Sequence, residues 1–157
     1  MNYELAKINL IDDKKSFRIR YSGVNKILFN IKGVYSPFGI ENYNKKDILN
    51  LELTNNNNDN HNNIIILKQL DDYFKELSNN KKELKDMNYT SPIKILADNK
   101  INIRTHLSKK LNFKVNDNQK NVEIKNKKFN IELEFSSIWI YNENYGLVLT
   151  INTIELA

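Results

Sequence analysis

Arg18 and Arg20 alternate with Phe17, Ile19 and Tyr21, and in the next segment Lys26, Leu28, Asn30 and Lys32 stand opposite Ile27, Phe29 and Ile31. Alternation at period two sorts cations onto one face of a strand and apolar residues onto the other. If the two segments pair through a turn at Ser22-Gly23, then Arg18, Arg20, Lys26 and Lys32 share one exposed face. Cations held along a sheet track phosphates and release counterions, which gives affinity for a polyanion without regard to its sequence. The same pattern also suits a plain solvated face, where positive residues deter edge pairing.

Aromatic rings are the second ingredient. Tyr35, Phe38 and Tyr43 cluster about the turn Ser36-Pro37-Phe38-Gly39, and Tyr21, Trp139, Tyr141 and Tyr145 follow strand patterns. Exposed rings stack nucleobases, each worth about 1–3 kcal/mol by alanine substitution. Core packing competes for every one of them. Phe17, Phe29, Phe74, Phe129, Ile131, Leu133 and Phe135 are read as core. A further basic group comprises Arg104, Lys109, Lys110 and Lys114, then Lys125, Lys127 and Lys128 in a polar turn.

Catalytic chemistry finds little support. His61 lies in an Asn-rich tract and His106 stands alone, so neither enters a metal-ligand spacing such as HxxxH or HExxH. Asp12-Asp13 and Asp71-Asp72 are adjacent pairs, whose side chains diverge on a strand or helix. There is no P-loop, GxGxxG or GxSxG, and only four glycines to build a phosphate cradle. The sequence therefore reads as no enzyme, with no metal and no cofactor.

The elements that must position these residues are mostly strands. Leu5–Ile11, Phe17–Tyr21, Lys26–Tyr35 and Ile48–Leu53 come first. Residues 54–63, rich in Asn, read as a low-complexity mobile loop. Leu67, Leu70, Phe74 and Leu77 then recur at helical spacing and predict a helix over roughly Ile64–Leu77. Short strands are expected at Ile93–Leu96 and Ile101–Arg104. A hairpin follows from Val122–Ile124 and Phe129–Phe135, and Ile138–Tyr141 leads into a last strand, Tyr145–Leu156. Strands, one central helix and strands again fit a closed barrel with the helix plugging one end; an open α+β sheet is the alternative.

At 157 residues the chain suits one domain, 1–157, and its size needs no disulfide or metal to fold. It has no cysteine, which excludes disulfides and thiol catalysis and fits a reducing, intracellular compartment. The N-terminal residues show no signal-peptide pattern, and the longest apolar runs have four residues, so no membrane partner is expected. A net charge of +5 and a pI near 9.2 favour polyanions. AT-rich codon usage alone would also supply much of the Lys, Asn and Ile.

Three stretches carry a family likeness: VYSPFGIENY with DILNLEL, SPIKI at Pro92, and SSIWIYNENYGLVLTINTIEL. The closing aromatic-Gly-Leu-x-Leu strand is the most specific. Together they resemble the single-stranded DNA-binding proteins of large eukaryotic DNA viruses, OB-fold relatives of the T7-like phage single-strand binders. The resemblance implies a mainly β, five-stranded Greek-key OB-like barrel with a central helix. It implies binding of single-stranded DNA without sequence preference, protecting strands in replication, recombination and repair at the site of viral DNA replication. Pro37 and Gly39 would shape the barrel, and Gly146 would let the last strand enter. On their chemistry more than on any motif, binding would fall to Arg18, Arg20, Lys26, Lys32, Phe38, Tyr43, Arg104, Lys109, Lys127, Trp139 and Tyr145. Replication proteins and self-association are further partners it implies. An acidic C-terminal tail is also part of the resemblance, whereas the sequence here runs to Glu155-Leu156-Ala157. Two other readings stay open: an RNA binder using the same face, and a β-rich virion or interaction module whose charge is codon bias. The single-stranded DNA reading predicts a continuous basic stripe, the interaction module an even scatter.

Overall fold

The computed structural model describes residues 4–54, 58–96, 100–114 and 124–156. Its strands are β1 (Ile8–Asp13), β2 (Ser16–Tyr21), β3 (Ile27–Tyr35), β4 (Ile40–Tyr43) and β5 (Lys46–Thr54), then β6 (Asn88–Thr90), β7 (Ile93–Leu96), β8 (Lys100–Lys114), β9 (Lys128–Tyr141) and β10 (Asn144–Leu156). Between the two groups lie helix α1 (Asn58–Lys75) and the single turn α2 (Leu77–Asn80).

Five of these strands close a ring: β3 pairs β5, β5 pairs β8, β8 pairs β10, β10 pairs β9, and β9 returns to β3. Within the ring only β8 and β10 run parallel. In chain order the ring reads first, second, third, fifth, fourth, the connectivity of an OB-type barrel. The other strands are additions to its edges: β1 and β2 extend β9, while β4, β6 and β7 lie on β5, β10 and β8.

Alternation explains the core. Ile27, Phe29 and Ile31 of β3 point inward with Phe129, Ile131, Leu133 and Phe135 of β9, and all are buried. Leu67, Leu70 and Phe74 form one buried stripe of α1. The Phe74 ring stacks on Phe135 at 6.1 Å, so the helix closes the barrel over its own core.

Several expectations need correction. β2 and β3 form no hairpin ladder: only Tyr21 and Asn25 bridge, and β9 lies between the two strands. The long amphipathic β9 satisfies both, pairing β2 through Ser137–Trp139 and β3 through its earlier residues. Arg18 and Arg20 are thereby parted from Lys26 and Lys32. The Asn-rich stretch is no loop from residue 58 onward, because α1 begins at Asn58 and Asn60 is buried. Asn costs a helix only some tenths of a kcal/mol, and docking of the stripe outweighs that. Strand β9 runs unbroken through Ser136-Ser137, where the pattern suggests a gap. Ser136 Oγ there meets Val148 O at 2.9 Å and Thr150 Oγ1 at 2.8 Å. Of the strand expected at Val122–Ile124, residues 122 and 123 lie outside the described residues, and Ile124 is buried but in no strand.

Candidate nucleic-acid interface

The outer face of β4, β5 and β8 is built by register. Tyr43 opposes Lys46, Glu41 opposes Ile48, Ile48 opposes His106, and Asn50 opposes Arg104. Directly opposed residues share a face, so Tyr43, Lys46, Arg104 and His106 project together. Hydrogen bonds on that face agree: Tyr43 Oη donates to Glu41 Oε2 and Asn50 Nδ2 to Glu41 Oε1, each at 3.4 Å. The β4–β5 turn consists of Asn44 and Lys45, whose φ values of 50° and 67° are those of a type I′ hairpin. That turn aims Lys45 and Lys46 at a groove.

The groove has a volume of about 780 Å³ and is lined by Lys45, Lys46, Arg104, His106 and Lys109 with Ser91 and Pro92, and by Ser137, Trp139, Leu147 and Val148 from β9 and β10. Pro92 O accepts the Arg104 N–H at 2.8 Å, which fixes this part of the wall. Among the described residues, Lys45, Lys46, Arg104 and Lys109 enter no ion pair. Asp47 is the one carboxylate of the lining. Burial, and then the charges of Lys46 and Arg104, hold the His106 imidazole below its ordinary value of 6.5. The result is an electropositive cleft with an indole in its wall, chemistry suited to phosphates and bases together.

The groove therefore brings together Arg104, Lys109 and Trp139, three of the residues singled out in the sequence, with Tyr43 on the adjoining face. Arg18 stands beside them, since Ser16 opposes Trp139 and Arg18 opposes Ser137. Its guanidinium lies 3.9 Å from Asp13. Arg20 is half-buried and donates to Ile19 O at 2.8 Å. Lys26 lies 3.8 Å from the buried Glu134, and Lys32 borders a separate hollow beside Lys114, Glu132 and Glu155. Neither reaches the groove. Phe38 and Lys127 belong to two turns joined through Ser36–Asn126 and Gly39–Lys125, next to the start of β9 and so at the opposite end of that strand from Trp139. Tyr145 is a correction: its ring is fully buried, and its hydroxyl lies 2.8 Å from Phe74 O and 2.7 Å from Lys75 O. It cannot stack a base. Sequence reasoning missed Lys45, Lys46 and His106. Asn44-Lys45 between Tyr43 and Lys46 is a turn signal, which would have placed the two lysines at a hairpin tip.

The single-stranded DNA-binding protein encoded by bacteriophage T7 superposes with a TM-score of 0.57 at 12% identity, over 83% of this chain and 86% of that one. The fold is shared with phage single-strand binders. The single-stranded DNA-binding protein of bacteriophage Enc34, solved in complex with single-stranded DNA, gives a TM-score of 0.54 at 13% identity over 96% and 95%. A second structure of the Enc34 protein gives 0.53 at 14%, over 96% and 89%. At such identities the likeness is one of fold. The chain matches no protein-family model and no curated protein. Among the described residues no group of three or more His, Asp or Glu side chains is placed to hold a metal, and no helix is long and apolar enough to cross a membrane.

Proposed function

We propose that this protein binds single-stranded DNA without sequence preference and protects exposed strands during replication, recombination and repair. The observation that carries the reading is the convergence of Lys45, Lys46, Arg104 and Lys109 on one groove with Trp139 in its wall. The cations neutralise phosphates, and Trp139 and Tyr43 offer π-faces that every base possesses, so sequence matters little. Arg18 extends the basic face beyond Ser137. The outer face of the barrel's second and third strands is where OB folds take oligonucleotides, and β5 and β8 are those strands here. Its work is binding, with no reaction and no cofactor. The sequence likeness to the binders of large eukaryotic DNA viruses extends the proposal to an intracellular role at viral replication sites, alongside replication proteins or further copies of itself.

A salt-titrated binding assay with oligo-dT, matched RNA and duplex DNA tests this, read by quenching of Trp139, the single tryptophan. Preference for dT, weakening with log salt at a slope near −0.7 per phosphate contact, is expected. Equal, feeble binding to all three polymers would overturn the proposal, and tighter binding of RNA would reassign the groove to RNA.

A further inference from the structure

Phe38 is 64% exposed, whereas the turn that carries it is buried and fastened. Ser36 is fully buried, and its Oγ accepts the Gly39 N–H at 3.0 Å. Ser36 O accepts the Asn126 N–H at 2.9 Å, and Tyr35 Oη donates to Asn126 Oδ1 at 2.5 Å. Gly39 (φ 69°) packs so closely on the neighbouring turn that a Cβ there would stand 3.2 Å from Lys125 Cβ. Two turns are thus locked face to face. The second presents Lys125, Lys127 and Lys128, all exposed and outside any ion pair among the described residues.

A ring held out on a rigid turn loses little freedom when something stacks on it, so the usual ordering cost of binding is already met. The lysines beside it supply point charges for the phosphates flanking a stacked base. Strand β4 joins this cluster to the groove: it leaves Gly39 and ends at Tyr43, opposite Lys46. Its four residues span about 14 Å at strand rise.

We propose that Phe38 with Lys125, Lys127 and Lys128 forms a second single-strand subsite, reached by a strand that leaves the groove and runs beside β4. This rests on the function proposed above and adds the direction of the strand and a longer footprint. OB folds occupy roughly 4–16 nucleotides, so dT4 and dT16 bracket the two cases.

The test compares wild type, Phe38→Ala and the triple variant Lys125→Ala, Lys127→Ala, Lys128→Ala on both oligonucleotides. Each replaced side chain is exposed, and alanine keeps the Cβ of Lys125 that Gly39 packs on, so folding is preserved; thermal melting verifies it. Binding of dT4 should be unchanged in both variants. Binding of dT16 should fall roughly 5- to 150-fold in Phe38→Ala, and its salt slope should drop by about 2 in the triple variant. Wild-type affinity of both variants for dT16 overturns the subsite while leaving the groove intact, and would leave the ring to a protein partner. Equal loss on dT4 also overturns it, by making Phe38 part of the groove. A wild-type protein that binds neither oligonucleotide removes the underlying function as well.

Discussion

The indole of Trp139 packs against Gly146, its direct partner across β9 and β10: a Cβ at Gly146 would stand 2.4 Å from both Cε2 and Nε1. The glycine serves here as space rather than as a residue of unusual backbone conformation. The ring edge carrying Nε1, Cε2 and Cζ2 is thus the part next to Gly146, and Trp139 also lines the groove. Gly146 therefore leaves room for the ring that the proposed function uses.

Gly146→Ala should displace the indole without forbidding the local backbone. Overpacking of this kind costs about 1–3 kcal/mol. The expected outcome is a lowered unfolding midpoint, a shifted Trp139 emission maximum and weaker dT binding. Unchanged emission with unchanged affinity would show that the ring is not held by this contact.

Tyr145 gives the opposite case, a tyrosine near the groove strands that serves only the fold. The last carbonyls of a helix lack intrahelical donors, and the Tyr145 hydroxyl reaches two of them on α1. Its single proton serves one at a time. Tyr145→Phe should cost about 0.5–1.5 kcal/mol in denaturant unfolding and leave dT affinity untouched. A loss of affinity at constant stability would return the residue to the binding site.

Local pattern made the inward faces legible, because alternation on β2, β3 and β9 depends only on neighbours in the chain. Pairing partners were not, since β9 enters between β2 and β3 from about a hundred positions away in sequence. One misplaced ladder scattered four cations that the sequence had grouped: Arg18 stays beside the groove, while Lys26 turns to Glu134 and Lys32 to another hollow. The helix start was hidden for a related reason. Asn58 to Asn63 is polar when read alone and helical once the stripe from Ile64 docks. Trp139 and Tyr145 look alike as strand aromatics, and only the position of α1 decides which one is covered.

Removing a groove cation should differ from removing a cation elsewhere. Lys46→Ala and Arg104→Ala should each weaken dT binding and lower the salt slope by about 0.7, the share of one phosphate contact on a single strand. Lys32→Ala should change neither quantity. Lys26→Ala should leave the slope intact but lower stability, since Glu134 loses its cation at a buried position. Slopes that fall equally in all four variants would mean that charge alone, and not the groove, binds the polyanion.

His106 makes the groove sensitive to pH. Burial first, then Lys46 and Arg104, keep its folded-state pKa below the unfolded 6.5. Between those two values the unfolded chain holds a proton that the folded chain lacks. Stability therefore falls as pH drops through 6.5, and the loss levels off below the folded pKa. Phosphate in the groove acts in the other direction, because an anion favours the imidazolium. Binding of dT should take up a proton, so affinity should rise as pH is lowered from roughly 7.5 to 5.5. His106→Gln should flatten that rise and the fall in stability together. Isothermal titration in buffers of different ionisation enthalpy measures the proton uptake directly; none in the wild type would remove His106 from the phosphate path.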